Sequence, residues 1–258
     1  AGDDMLTPTG EALASRLAAA IGGLVLAISA SAIGLIPGIG ATYVLGRWVI
    51  APLARLIYRP RIEGRKNFPR MGAVILASNH LSFIDSFVIP MAAPRPVRFL
   101  AKSSYFDGKG VKGWFSREFF YAVGAFPVQR GAGQAALDAL DQQRRMLQAG
   151  WSTALYPEGT RALDGRLYKG KTGLARVALE TGVPVIPVAM IDTHKFNPPG
   201  SILPRPTRVS VRIGKPLDFS RYEGLSNDRY ILRSITDEIM YEIMRLSGQE
   251  YVDMYATR

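Results

Sequence analysis

Only two histidines occur in the 258 residues, His80 and His194, and His80 stands in the stretch NHLSFID five positions before Asp85. An imidazole and a carboxylate within reach of each other can act together. A carboxylate that accepts the Nδ1 hydrogen fixes the tautomer and leaves Nε2 basic, which is what a base that activates a hydroxyl needs. On an ideal helix residues five apart point about 140° away from each other, since each step turns about 100°. Ser82 and Asp85 have the S-x-x-D spacing of a capping box, which predicts a helix starting at Ser82 and leaves His80 in the preceding turn, free to fold back onto Asp85. The same residues also fit a plain helix cap that follows a structural histidine, and the eight-residue stretch SNHLSFID does not choose between the two.

Further along, YPEGTRALDG (156–165) follows an apolar run and gathers Glu158, Gly159, Thr160 and Arg161 in a turn. The carboxyl ends of strands are where α/β sheets bind ligands. Gly159 permits close approach to the backbone, and Arg161 offers a guanidinium fork for phosphate. GAFPVQR places Arg130 just past another apolar run, and VRFLAK ends on Lys102. Three strand ends thus deliver a cation and a fourth delivers the histidine. His194, in IDTHKFNPPG, reads as a loop residue.

The elements that must position these groups are legible in the periodicity. Runs rich in Val, Ile and Phe at 73–78, 97–102, 121–128, 152–157, 183–191 and 208–213 read as strands. Between them GQAALDALDQQRRMLQAG and GLARVALETG have helical spacing, each closing on a glycine, Gly150 and Gly182, suited to a C-terminal cap. Ile231, Ile235, Ile239 and Ile243 recur every four residues and predict an amphipathic helix packed on the body. This alternation implies an α/β fold with a largely parallel sheet flanked by helices.

The composition, 48% hydrophobic and 21% charged, is that of a chain able to bury a core. Cysteine is absent, which excludes disulfides, thiolate nucleophiles and cysteine metal sites, and two histidines make a histidine-rich metal centre a poor expectation. The formal net charge of +11 points to an anionic partner: nucleic acid, an anionic membrane surface or a phosphorylated substrate. From Leu17 to Gly46 no residue is charged, and twenty such residues make a helix about as long as a bilayer core is thick. Pro37, Gly38 and Gly40 break that run, a second apolar arm follows, and Arg59, Arg61, Arg65 and Lys66 form a basic collar of the kind found at a cytoplasmic headgroup surface. The expectation is a two-helix membrane-binding hairpin in residues 1–60, ahead of one domain over 61–258. A single span, a buried core hairpin and a signal peptide ending near Ala32 are the alternatives; against the last, the apolar run continues past Ala32.

Four blocks in order carry a resemblance: NHLSFID, GAFPVQR, YPEGTR and VPVIPVAM. Together they resemble the membrane-associated glycerolipid acyltransferases typified by 1-acyl-sn-glycerol-3-phosphate acyltransferase, with H-x-x-x-x-D and E-G-T-R motifs at their usual separation. The departures are modest: Pro127 and Gln129 stand where bulkier apolar residues are frequent, and YKGKTG replaces a more lysine-rich run. The resemblance implies the glycerolipid acyltransferase fold and transfer of a fatty acyl group from acyl-CoA or acyl carrier protein to the hydroxyl of lysophosphatidic acid. In that scheme His80 is the general base and Asp85 orients it. Arg130, Lys102 and Arg161 receive the acceptor's phosphate, with Lys169 and Lys171 as further candidates, while Glu158, with Gly159 and Thr160 beside it, positions the acceptor or an arginine. No metal and no bound cofactor is implied. The expected partners are membrane phospholipids, the acyl donor and a lysophospholipid acceptor, without nucleic acid, at the cytoplasmic face of the cell membrane. Glycerol 3-phosphate, another lysophospholipid or a glycolipid are alternative acceptors. A membrane-bound hydrolase, or a basic binding protein without turnover, are the readings from other classes.

Overall fold

A computed structural model describes residues 51–129, 133–196 and 207–256. The expected membrane hairpin in residues 1–60 lies outside them, apart from the closing helix α1 (Ala51–Tyr58). No helix among the described residues is long and apolar enough to cross a membrane.

Seven strands form one sheet: β1 (Arg61–Glu63), β2 (Ile75–Ser78), β3 (Val97–Lys102), β4 (Ala125–Val128), β5 (Ser152–Leu155), β7 (Val185–Ile191) and β8 (Ser210–Ile213). Their order across it is β1-β8-β7-β2-β5-β3-β4. A two-stranded ribbon pairs β6 (Leu167–Tyr168) with β9 (Tyr251–Val252). All pairings in the large sheet are parallel except β7 with β8. The central strands are covered on both faces, which is why their sequences are continuous apolar runs: every residue of β2 is buried.

The pleat divides the core in two. Leu76 of β2 points into a cluster with Val88, Phe99 and Phe120, whereas Ile75 and Ala77 point into one with Leu174, Ile235 and Ile239. Helices α2 (Asp85–Ala92) and α3 (Gly110–Ala122) therefore cover one face. Helices α4 (Gln134–Gln148), α5 (Gly173–Thr181) and α7 (Arg229–Ser247) cover the other. The short α6 (Thr193–Phe196) holds His194 in a helical turn after β7.

Two expectations need correction. The run at 121–128 is a strand only from Ala125, because Tyr121 and Ala122 complete α3 and Gly124, at φ 85°, turns the chain into β4. Helix α2 starts at Asp85, three residues after Ser82, because residues 83 and 84 form a turn and the Asp85 carboxylate is taken up by backbone N–H groups before the helix proper. Helix α3 shows no one-sided stripe, since it is apolar both toward the core and away from it. The glycine stops hold: Gly182 caps α5 at φ 64°, and Gly150 follows α4 at φ 85°.

Candidate active site

The register of the parallel sheet builds the site. Ile75 pairs with Thr153 and Ala77 with Leu155. Extending that spacing past the strand ends brings His80 opposite Glu158, 78 positions apart, and there the His80 backbone N–H donates to Glu158 Oε2 at 3.1 Å. The two motifs that lie far apart in sequence are thus adjacent because β2 and β5 are neighbours. The chain leaving β5 is also held to the chain leaving β2 by Ala162 N–H, which donates to the His80 carbonyl at 2.8 Å.

His80 lies in the turn before α2, and its ring folds back so that Nδ1 is 2.9 Å from Asp85 Oδ2. The same oxygen accepts the backbone N–H groups of Leu81 at 2.7 Å and Ser82 at 2.8 Å. Asp85 is fully buried and occupies the first turn of α2, where the helix dipole favours negative charge. A buried carboxylate held by three donors and a helix end has a firm orientation and so fixes the ring that it grips. His80 keeps 11% side-chain exposure, and its Nε2 has no hydrogen-bond partner among the described residues. The Tyr156 ring stacks on the imidazole with centroids 3.9 Å apart and planes 9° apart, and its hydroxyl lies 3.0 Å from Ser86 Oγ in the first turn of α2. A positive charge formed on the imidazole would therefore lie against an aromatic face.

Glu158 is buried, and both its oxygens serve the backbone: Oε2 the His80 N–H, and Oε1 the Tyr168 N–H at 2.9 Å. Burial pushes its carboxyl up to about 7, against the two backbone hydrogen bonds, which favour the charged form. The side chain is folded inward as a brace between the His80 turn and β6. Beside it Asn79 is fully buried and bridges β2 to β7, accepting the Met190 N–H at 2.7 Å and donating to the Met190 carbonyl at 2.9 Å. Asn79 also donates to Gln249 at 2.6 Å, and Gln249 in turn donates to the Gly165 carbonyl at 2.7 Å.

The cations are arranged less tightly. Arg161 is exposed and lines a groove of about 470 Å³ with Thr160, Leu163, Asp164, Tyr168 and Ala256. Gly159, at φ 74°, is exposed, and the Lys171 side chain lies across it; a Cβ there would come within 3.1 Å of Lys171 Nζ. Lys102 is exposed at the carboxyl end of β3. None of Lys102, Arg161 and Lys171 has an ion-pair partner among the described residues. Lys169 does, with Nζ 2.8 Å from Asp253, and is thereby drawn toward β9. Arg130 lies outside the described residues.

Residues 59–191, more than half of the chain, match the family model described as acyltransferase. The chain belongs to the acyltransferase family. Among its relatives, the chloroplastic 1-acyl-sn-glycerol-3-phosphate acyltransferase LPAT1 of Arabidopsis thaliana is 33% identical over 66% of this chain and 47% of its own length. A 1-acyl-sn-glycerol-3-phosphate acyltransferase of Borreliella burgdorferi is 27% identical over 52% of each chain. The chain spans about half the length of the curated relatives it matches. The crystal structure of the 1-acyl-sn-glycerophosphate acyltransferase PlsC from Thermotoga maritima shares the fold, with a TM-score of 0.59 and 23% identity over 80% of this chain and 81% of that one.

The residues of this site that sequence reading overlooked are Tyr156, Asn79 and Tyr168. Tyr156 and Asn79 stand inside or beside the quoted motifs, so their positions carried the signal. Their roles did not show, because stacking and strand bridging depend on which strands are neighbours. Tyr168 contributes through its backbone N–H, which no side-chain pattern reveals.

Proposed function

We propose that this acyltransferase moves a fatty acyl group from a thioester donor, acyl-CoA or acyl carrier protein, to the free hydroxyl of lysophosphatidic acid, giving phosphatidic acid. The observation that carries the reading is the buried Asp85 carboxylate gripping His80 Nδ1 while Nε2 remains unpartnered among the described residues. His80 Nε2 takes the hydroxyl proton, the alkoxide oxygen bonds to the thioester carbonyl carbon, the C–S bond breaks, and the imidazolium returns the proton to the leaving thiolate. Asp85 orients the ring and stabilises the imidazolium. Because the acceptor attacks directly, no acyl-enzyme is required, in keeping with a chain that has no cysteine.

The acceptor's phosphate is a dianion at neutral pH and suits a bidentate arginine with a second cation. Arg161 and Lys171 meet that need, with Lys102 at the carboxyl end of β3 and Arg130 of the GAFPVQR block as further cations. Lys169, already paired with Asp253, serves the loop instead. Residues 1–60 supply the membrane anchor at the cytoplasmic face, and the lipid acceptor reaches the site from there.

The test is incubation with labelled lysophosphatidate and either donor, with products read by mass spectrometry. Phosphatidate is expected, with His80→Ala losing nearly all of it while remaining folded. Free fatty acid as the main product would replace transfer by hydrolysis, and full turnover in His80→Ala would remove the base from the scheme.

A further inference from the structure

Helix α3 (Gly110–Ala122) carries large apolar side chains that the described residues leave partly or largely exposed. Val111 is 73% exposed, Trp114 49%, Phe115 63%, Phe119 44% and Tyr121 39%. At about 100° per residue they occupy one arc, from Tyr121 to Phe119 about 160° wide, with Gly113 and Phe120 buried on the opposite side and the small Ala122 of the last turn buried within the arc. Lys112 lies just beyond one border of the arc and Arg117 just beyond the other, and exposed Lys109 precedes the first turn. The acid within the arc, Glu118, is 3.8 Å from Arg117 Nε.

The outward set of this face is enforced. Phe120 stacks on Tyr105 with centroids 4.4 Å apart, and Ser116 Oγ donates to the Tyr105 carbonyl at 2.8 Å. Gly113 is pressed against Gly108 so closely that a Cβ on it would come within 2.0 Å of the Gly108 backbone. The helix cannot roll its aromatic side inward without breaking these contacts. The apolar surface also runs on toward the site. Phe119 contacts Phe87 at 5.1 Å, Phe87 contacts Phe83 at 5.0 Å, and Phe83, 38% exposed, sits in the turn between His80 and Asp85.

We infer that α3 is a membrane-docking helix, which lays Trp114, Phe115 and Phe119 into the headgroup boundary of an anionic bilayer with Lys109, Lys112 and Arg117 at the lipid phosphates. Aromatic side chains flanked by lysine and arginine suit that boundary, where amphipathic bodies are half immersed and basic tips reach anionic headgroups. Charge complementarity selects the occupant, since the border of the face is basic and the whole chain is at +11. The contact is distinct from the N-terminal segment and independent of which acyl acceptor the site takes. It sets the mouth of the His80 turn at the lipid surface.

The full chain has no cysteine, so Phe115→Cys introduces a unique attachment point for an environment-sensitive fluorophore. Tyr230, 88% exposed on α7 across the sheet, is the reference position, labelled in the same way through Tyr230→Cys. The proteins are reconstituted with vesicles of phosphatidylcholine with or without phosphatidylglycerol, and with shallow spin-labelled lipids as quenchers. The expected result is a blue-shifted probe at position 115 that the spin labels quench, more strongly when phosphatidylglycerol is present, and a probe at position 230 that stays in water. A probe at position 115 that remains in water on vesicle-bound protein overturns the inference. So does a blue-shifted probe that the lipids do not quench, which would mean coverage by residues 17–46 or by a second copy. In a second readout, Trp114→Glu with Phe115→Glu should lower turnover of a vesicle-embedded acceptor at least about tenfold while sparing a water-soluble short-chain acceptor. Equal losses on both acceptors would assign the face to folding instead.

Discussion

The Glu158 carboxyl is the group whose perturbation is easiest to weigh. It is buried, it holds the His80 N–H and the Tyr168 N–H, and burial raises it from an ordinary 4.5 to about 7. An acid raised in the folded state binds its proton there first, so the stability it contributes is fully present below about pH 4.5 and is lost as pH rises through 7. The displacement corresponds to about 3 kcal/mol, of which about 2.5 kcal/mol falls between about pH 5 and pH 8. Glu158→Gln removes the titration. It keeps one acceptor oxygen and sets an amide N–H against the other backbone donor, a cost that does not vary with pH. Urea unfolding of both proteins in detergent micelles, followed by tryptophan fluorescence across that range, isolates the carboxyl as a difference in which other groups cancel. The wild type should lose ground to Glu158→Gln by about 2.5 kcal/mol on going from acid to alkaline pH. A flat difference would refute the argument, because the carboxyl would then titrate near its ordinary value and burial would not govern it.

Asp85→Asn cannot accept the Nδ1 hydrogen in the same way, and kcat should fall about 10³- to 10⁴-fold with the unfolding midpoint shifted far less than activity, as read by steady-state kinetics and denaturation. Tyr156→Leu removes the stacked face and should lower kcat about 2- to 30-fold, whereas Tyr156→Phe keeps the stack and loses the hydroxyl with its Ser86 contact. Equal losses in the two variants would shift the effect from the ring to the hydroxyl.

The sheet was legible because its central strands are buried on both sides and so read as unbroken apolar runs, and because Gly150 and Gly182 mark helix ends with positive φ. The meeting of His80 and Asp85 was legible from the turn that must precede α2, although the helix itself begins later than Ser82 suggested. Two kinds of information were out of reach. Strand order is a global property, so that β2 lies between β5 and β7 could not be read locally, and the inward brace made by Glu158 follows from that order. The other kind is α3, whose apolar residues face two different surroundings and so cancel the period that would have announced a helix.

Gln249 reaches Asn79 from the segment after α7, while Leu167 N–H donates to the Glu250 carbonyl at 2.9 Å and Lys169 N–H to the Met254 carbonyl at 3.0 Å. During synthesis the ribosome delivers His80 and Asp85 more than a hundred residues before this strap. A nascent chain therefore owns its reacting groups long before it can lock the floor beneath them, and premature termination after Ser247 would release a protein with the chemistry in place and its last clasp undone.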